Sequence, residues 1–535
     1  MLRPAASLLA PLCAGLLVGA SLPPSDLWPL GPAGVAVLAL SITGKPLRRR
    51  ALHGLAAGVG QLGLGCAWVL QFTGAGYVAL VALESAFFAL ACALSPPRRG
   101  RLPALAGLLT LAEWARGSWP FGGLPLGGIA LGQVDGPLSG LARLGGPLLV
   151  AGGTYFAGTG LAAVVSAIAH RSRPGATAGA CALAAVAVAA AVAAHAPDGG
   201  RTVRRLVVAA VQGGGRRGLS SLVVPAASVL EAQLAATARV GSDVQLLVWP
   251  EDAVSLATRL ARSPVEPLLA EIARRLDTTL VAGVTEPAGP GHFRNEAAVF
   301  GPSGRLVAQY EKQHPVPFGE YVPLRSVLRH FVSLAAVPRD MVPGRRVGMV
   351  ATPAGRIALL VSYETFFSGL GRAEVRAGGE LLVVPTNTAS YSSTQVPAQE
   401  LAASRLQAIA EGRDLVQAAS TGYSAVVDAH GRVVERSGLG TRDVLRSTVA
   451  LRTAMTPYDD LGDAPALLLA LAGAGSGAAA LGMGAAGHRR QVAARRAGAR
   501  GQEAAQSDAG SVAAAGSGTN STLLNSTNLA TQITP

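Results

Sequence analysis

Two kinds of hydrophobic patterning divide this chain. Before residue 200 the apolar residues run almost unbroken through seven stretches, near 5–22, 30–43, 51–71, 75–95, 103–118, 139–168 and 177–196; an eighth lies near 464–485. Long apolar runs with few charges predict helices that cross a bilayer. Residues 204–453 behave differently. Short apolar runs predict strands at 206–211, 244–249, 279–284, 297–300, 357–361, 381–385 and 424–428. Between them, amphipathic periodicity predicts helices at 226–240, 265–276 and 397–411. Such alternation is the mark of a layered α/β domain, and roughly 250 residues suit a single one. The expected plan is a seven-helix transmembrane domain over 1–203, an α/β domain over 204–455 and a final membrane helix over 456–486. Residues 487–535, rich in Ala, Gly, Ser, Thr and Asn after a basic start, predict a disordered tail.

Composition agrees with a membrane protein that carries an attached domain. Of 535 residues, 50% are hydrophobic and only 14% charged, with a mean hydropathy of +0.39. The net charge of +14 does not point to nucleic acid, because the basic residues lie between the apolar spans. They fall in alternate loops: Arg3; Lys45 with Arg48, Arg49 and Arg50; Arg98, Arg99 and Arg101; Arg171 and Arg173; then Arg489, Arg490, Arg495, Arg496 and Arg500. Loops 21–30, 71–76 and 120–137 hold no Lys or Arg. The positive-inside rule therefore puts both termini in the cytoplasm and residues 197–460 on the outer face. On that side assignment, the sequons at Asn520 and Asn525 in the tail are without meaning. The four cysteines, Cys13, Cys66, Cys92 and Cys181, all fall in apolar spans, so neither a disulfide framework nor a zinc site is suggested. With no metal-ligand cluster and no dinucleotide loop, no cofactor is expected.

The candidate chemistry gathers at the ends of predicted strands. The apolar run 357–361 ends in Ser362, Tyr363 and Glu364, and a strand end holds a nucleophile rigidly. Glu251 follows Leu-Leu-Val-Trp-Pro, and Lys312 follows the run 306–308. Lys312 stands out because only it and Lys45 are lysines; Arg supplies every other side-chain positive charge. An ammonium can exchange a proton where a guanidinium cannot. A carboxylate, an amine and a hydroxyl are the parts needed for acyl transfer through a covalent intermediate. Within the spans, Glu113 and Arg116 lie three apart on one helical face and are either functional or a structural ion pair. The stretch 119–128, dense in Gly and Pro, predicts a loop that dips into the interface as a lid or lipid gate.

These residues carry a resemblance. Trp249-Pro250-Glu251, Glu311-Lys312, the Val-Pro-Phe-Gly-Glu-Tyr-Val-Pro-Leu run at 316–324 and Ser362-Tyr363-Glu364 resemble the nitrilase-type (carbon-nitrogen hydrolase) domain of the apolipoprotein N-acyltransferase family. Segments 23–29, 113–117 and 121–125 resemble the family's first outer loop, its fifth helix and the loop after it, and Thr386-Asn387 and 420–424 resemble later motifs, so the likeness covers about residues 5–485. The resemblance implies an αββα sandwich outside the membrane, beside about eight transmembrane helices, in the cell membrane. It implies that an acyl chain passes from a phospholipid to the enzyme nucleophile and then to the α-amine of an S-diacylglyceryl cysteine on an apolipoprotein. It implies Glu251 as general base, Lys312 as the cation that steadies the oxyanion and Glu320 as the carboxylate orienting Lys312. Tyr363 and Glu364 would line the site, with Trp249 and Asn387 in supporting positions.

The chain departs from the family pattern at the nucleophile. The family carries Cys, whereas this chain has Ser362 and no cysteine after residue 181. A thiol ionises readily near a cation; a hydroxyl depends on an adjacent base. The intermediate becomes an oxygen ester instead of a thioester, and slower turnover is expected. Gln212-Gly213-Gly214 with Ser221, and Thr388-Ala389-Ser390-Tyr391, also differ from the family pattern at positions expected to shape the pocket. Two other readings follow: a lipoprotein-binding or membrane scaffold that keeps the fold without the reaction, and an amide or nitrile hydrolase.

Overall fold

The computed structural model describes residues 3–98, 100–215, 224–330, 334–335 and 337–479. The predicted tail over 487–535 and Ser221 lie outside the described residues. Each apolar stretch before residue 200 forms a helix: α1 (Arg3–Ser21), α2 (Leu30–Ser41), α3 (Leu47–Gly65), α4 (Gly74–Leu94), α5 (Arg101–Arg116), α6 (Ala142–Ala169) and α7 (Arg173–Ala194). Small residues let these helices approach closely. A Cβ on Gly15 of α1 would stand 1.9 Å from the Ala57 carbonyl of α3, and one on Gly60 of α3 would stand 2.5 Å from the Leu12 carbonyl.

Helix formation is not the same as membrane crossing. Three segments among the described residues, Gly74–Leu94, Ser139–Ala169 and Arg173–Ala194, are long and apolar enough to cross a membrane. The apolar helices Leu8–Ser21, Leu30–Ser41 and Ala464–Ala479 are shorter. At 12 residues, α2 reaches about 18 Å, against a hydrocarbon core of about 30 Å. Helix α3 carries Arg48, Arg49 and Arg50 in its first turn and α5 begins on Arg101, which lowers their apolarity. The expected count of eight crossings is therefore met in part.

The second region contains β1 (Arg204–Gln212), α8 (Ala226–Thr237), β2 (Leu246–Val248), β3 (Val254–Ser255), α9 (Val265–Arg275), β4 (Thr279–Pro287), β5 (His292–Phe300) and β6 (Leu306–Glu311). It continues through α10 (Arg325–Leu328), β7 (Asp340–Met341), β8 (Met349–Thr352), β9 (Gly355–Leu359), α11 (Ser368–Arg376), β10 (Leu381–Thr386) and α12 (Val396–Glu411). It closes with β11 (Leu415–Ala419), β12 (Ala425–Val427), β13 (Val433–Arg436), β14 (Asp443–Leu451) and α13 (Pro457–Leu461). One sheet runs β14-β1-β2-β4-β5-β6, with β3 on β4 and β7 on β5; the other runs β13-β12-β11-β10-β9-β8.

The two sheets face each other. Leu206, Val208, Leu246 and Val281 of the first meet Ile357, Leu359, Val383 and Val416 of the second. The outer face of the first sheet is covered by α8 and α9, through Ala236, Leu269 and Ile272 on Leu247 and Leu280. The second is covered by α11 and α12, through Val375, Leu401 and Ala408 on Ala358, Leu382 and Leu415. This is the αββα order. α12 is buried on two sides, because its Ala402, Leu406 and Ile409 also meet Leu141 and Val150 of the helical region. That double burial takes in its polar side chains Gln399, Glu400, Ser404, Gln407 and Glu411 as well as its apolar ones.

Several expected strands shift at their ends. The run at 357–361 leaves the sheet after Leu359 and turns, and the strand expected at 297–300 is the end of the longer β5. The strands β3, β7, β8, β11, β13 and β14 and the helices α10 and α11 were not expected. β14 alternates exposed Arg446 and Thr448 with buried Leu445 and Val449, so no apolar run marks it.

Candidate active site

The site begins where β2 ends. Val248 leads through Trp249 and Pro250 to Glu251, and Asp252 follows with a left-handed backbone (φ +56°). The buried Glu251 Oε1 accepts hydrogen bonds from Lys312 Nζ at 2.9 Å and from Asn295 Nδ2 at 2.7 Å. The same two donors reach Glu320 Oε1 at 2.9 and 2.8 Å. One cation and one amide are thus held between two carboxylates. Glu320 Oε2 accepts from the Val316 N–H at 2.7 Å, which fixes the turn that carries Glu320. The Lys312 backbone is tied too: its N–H donates to the Asn295 carbonyl at 2.9 Å.

Lys312 is 1% exposed. Burial works against its charge, but Glu251 and Glu320 outweigh that and hold the ammonium firmly protonated. Burial pushes the Glu251 carboxyl above its ordinary range, with Lys312 pulling the other way. Asn295 was missed in the sequence. It sits in β5 with no local feature to single it out, and its role comes from a pairing 44 residues away.

Ser362 lies past the end of β9, at the start of the 3-10 turn Ser362–Phe366. Its backbone is left-handed (φ +51°), a conformation that a non-glycine residue adopts only where surrounding structure enforces it. Ser362 Oγ donates to Glu400 Oε1 at 3.2 Å, and Thr386 Oγ1 lies 2.6 Å from the same carboxylate oxygen and 3.1 Å from Ser362 Oγ. Burial pushes the Glu400 carboxyl up to about 7, although Thr386, Ser362 and the Lys312 charge lower it. The Lys312 charge is thus felt on the serine side of the site. Among the hydrogen bonds of the described residues, Ser362 Oγ reaches neither Glu251 nor Lys312. Glu400 was also missed, although an acid on the apolar face of the predicted helix 397–411 was a visible signal.

The supporting residues take separate places. The fully buried Glu364 is a clamp. Its carboxylate accepts from the backbone N–H groups of Val361 (2.7 Å), Gln313 (2.6 Å) and His314 (3.2 Å), and from the Tyr310 hydroxyl at 3.1 Å. It therefore binds the serine turn to the segment that carries Lys312. Tyr363 donates to the Gly123 carbonyl at 2.9 Å. Asn387 follows β10 and donates to Asp252 Oδ2 at 3.2 Å, and Ser420 donates to the Glu251 carbonyl at 3.3 Å. These two bonds stitch the second sheet to the Glu251 turn. Trp249 points the other way, into the core beneath α8 and α9. Gln212 makes structural bonds, donating to the Gly438 carbonyl and accepting from Ser424 and Ser437.

The helical region supports the same end of the domain. Arg116 bonds Glu84 and Glu113, each at 3.0 Å, and the Leu126 carbonyl at 2.7 Å. Glu113 also accepts from the Tyr155 hydroxyl at 2.8 Å and from the Ile129 N–H. This network is a brace under the 119–128 loop. Above it, Tyr321 donates to the Phe121 carbonyl at 3.1 Å, and Phe121 meets Phe318 edge-on. Trp68, Phe72 and Tyr391 form a second aromatic group beside α12.

The facing sheets and the Glu–Lys–Glu cluster define a carbon-nitrogen hydrolase domain joined to an apolar helical one. Residues 206–456 match the carbon-nitrogen hydrolase family, and residues 14–160 match the apolipoprotein N-acyltransferase N-terminal domain. An apolipoprotein N-acyltransferase of Azotobacter vinelandii is 31% identical over 84% of this chain and 90% of its own length. One of Pseudomonas putida is 30% identical over 84% and 91%. One of Geobacter metallireducens is 32% identical over 50% and 52%. The chain belongs to the apolipoprotein N-acyltransferase family.

Proposed function

We propose that this protein moves an acyl chain from a phospholipid to the α-amine of the S-diacylglyceryl cysteine at the N-terminus of an apolipoprotein. The acyl group is carried in between as an ester on Ser362. The observation that supports this most is the buried Lys312 ammonium between Glu251 and Glu320, within a chain whose relatives bear that activity in their names.

In this reading Lys312 stabilises the oxyanion as each tetrahedral intermediate forms, help worth roughly 2.7–4 kcal/mol for one such donor. Glu251 exchanges protons, and Glu320 with Asn295 keeps the ammonium aimed. Tyr363 and Asn387 hold the walls of the site, and Glu364 holds the serine turn. The reaction as written uses no metal or cofactor. Donor and acceptor both arrive laterally from the bilayer, so the α/β domain works on the outer face of the cell membrane, with both termini in the cytoplasm.

The test is to incubate the purified full chain with phosphatidylethanolamine and a diacylglyceryl-cysteine peptide. Wild type should add one acyl mass to the peptide and show an acyl adduct on Ser362. Ser362→Ala should do neither. An inactive wild type beside an active Ser362→Cys variant would overturn the proposal and mark the site as silent.

A further inference from the structure

The Ser362 hydroxyl faces a carboxylate that the roles above leave unused. We propose that Glu400 is a catalytic base in this chain, taking the proton from Ser362 Oγ as it attacks. This inference rests on the serine-ester reading and names the partner that makes a hydroxyl usable where a thiol would need less help.

The geometry carries it. A base must lie about 2.6–3.2 Å from the atom whose proton it takes, and Glu400 Oε1 is 3.2 Å from Ser362 Oγ. Thr386 Oγ1, at 2.6 Å, holds that carboxylate oxygen in place. Glu251 is less available: its Oε1 already accepts from Lys312 and Asn295, and it makes no hydrogen bond to Ser362 among the described residues. Glu400 is fixed as well, since α12 lies between the second sheet and the helical region. The facing groups are Ser362 on the 3-10 turn and Thr386 at the end of β10, and the charged side chain acting on it is Lys312 after β6. Burial lifts Glu400 to about 7, where a carboxylate is a stronger base than an exposed one yet still ionises near neutrality.

The protons balance in both steps. First, Oγ bonds to the ester carbonyl carbon and its proton passes to Glu400. The carbon–oxygen bond to the lysophospholipid breaks, and the leaving oxygen takes the Glu400 proton. Second, Glu251 takes the proton that frees the amine from its ammonium form and passes it to solvent, and the amine nitrogen then bonds to the acyl carbon and gives its second proton to Glu400. The bond from carbon to Oγ breaks, and Oγ takes that proton back.

A fluorophosphonate tests this without any lipid, because Oγ attacks phosphorus and fluoride leaves. Labelling of Ser362 in the full chain, read by peptide mass, should rise with pH about a midpoint near 7. Glu400→Gln should slow it by roughly 10²–10⁴-fold and flatten the profile, and Glu400→Asp should restore part of the rate. In a Ser362→Cys background, where the nucleophile is a thiol that ionises far more readily, Glu400→Gln should change iodoacetamide alkylation at position 362 by less than about threefold. Wild type that fails to label at Ser362, or labels with a flat profile, overturns the proposal. So does a Glu400→Gln variant that labels at the wild-type rate, or an equal loss in both backgrounds, which would mark a structural role. Glu400-dependent labelling without acyl transfer to the peptide would leave this inference standing and overturn the proposed function instead.

Discussion

At the scale of single residues, the site is a balance of buried charges, and its members respond differently to removal. Lys312 neutralises Glu251 and Glu320 at once. Replacing it with Met leaves two acids with no cation, and breaking a buried pair in this way costs about 3–5 kcal/mol. A drop of that size in unfolding free energy, measured in denaturant, is the expected outcome for Lys312→Met. Glu251→Gln is milder for the fold, because a Gln carbonyl still accepts from Lys312 and Asn295. Its cost should appear in turnover, as a loss of roughly 10²–10⁴-fold in acyl transfer with little change in stability. That Glu251, Lys312 and Ser362 follow strands was legible in the sequence, because each comes after an apolar run. The roles of Asn295 and Glu400 were not, because no local pattern says which side chain a polar residue will meet across two sheets.

At the scale of elements, strand ends decide where chemistry can sit, and turns decide which way it points. Glu364 joins the end of β9 to the segment after β6 through three backbone N–H groups. Glu364→Ala orphans those donors, each costing about 1–3 kcal/mol when left unsatisfied. The expected result is a lower melting temperature together with weaker acyl-Ser362 formation, although Glu364 acts only through the turn it holds. Tyr363→Phe removes one bond to the 119–128 loop. It should cost about 1 kcal/mol and raise amide exchange in that loop. Both elements were foreshadowed locally: the loop was too rich in Gly and Pro to be a helix, and the strand ended in a polar triplet. That the loop and the triplet touch is a fact of tertiary packing, since Gly123 and Tyr363 are 240 residues apart.

At the scale of the whole molecule, the α/β domain buries several acids whose affinity for protons is raised. Burial brings Glu296 to about 7, Glu374 to about 8 and Glu400 to about 7. These groups keep protons in the folded state that the unfolded chain has already released. Their contribution is full below the ordinary carboxylate value and is lost as pH rises through the folded values. Stability should therefore fall between about pH 4.5 and 8, by up to about 1.4 kcal/mol per pH unit for each group still protonated. Melting curves across that range check the sign: a melting temperature that rises steadily from pH 5 to 8 would contradict it.

The apolar runs by themselves determined that helices come first and a layered α/β domain second, because burial of hydrophobic surface follows local period and length. They also determined which residues stand at strand ends, and so which could react. Membrane crossing was less well determined, since short spans such as α2 make helices without having the length to cross. Only the tertiary structure decided that Asn295 and Lys312 share two carboxylates, that Trp249 faces the core, and that Ser362 meets Glu400. The physical reason is that local sequence sets what a side chain can do and which way its element turns. Its partners are set by the closing of one sheet on another, which brings together positions tens to hundreds of residues apart.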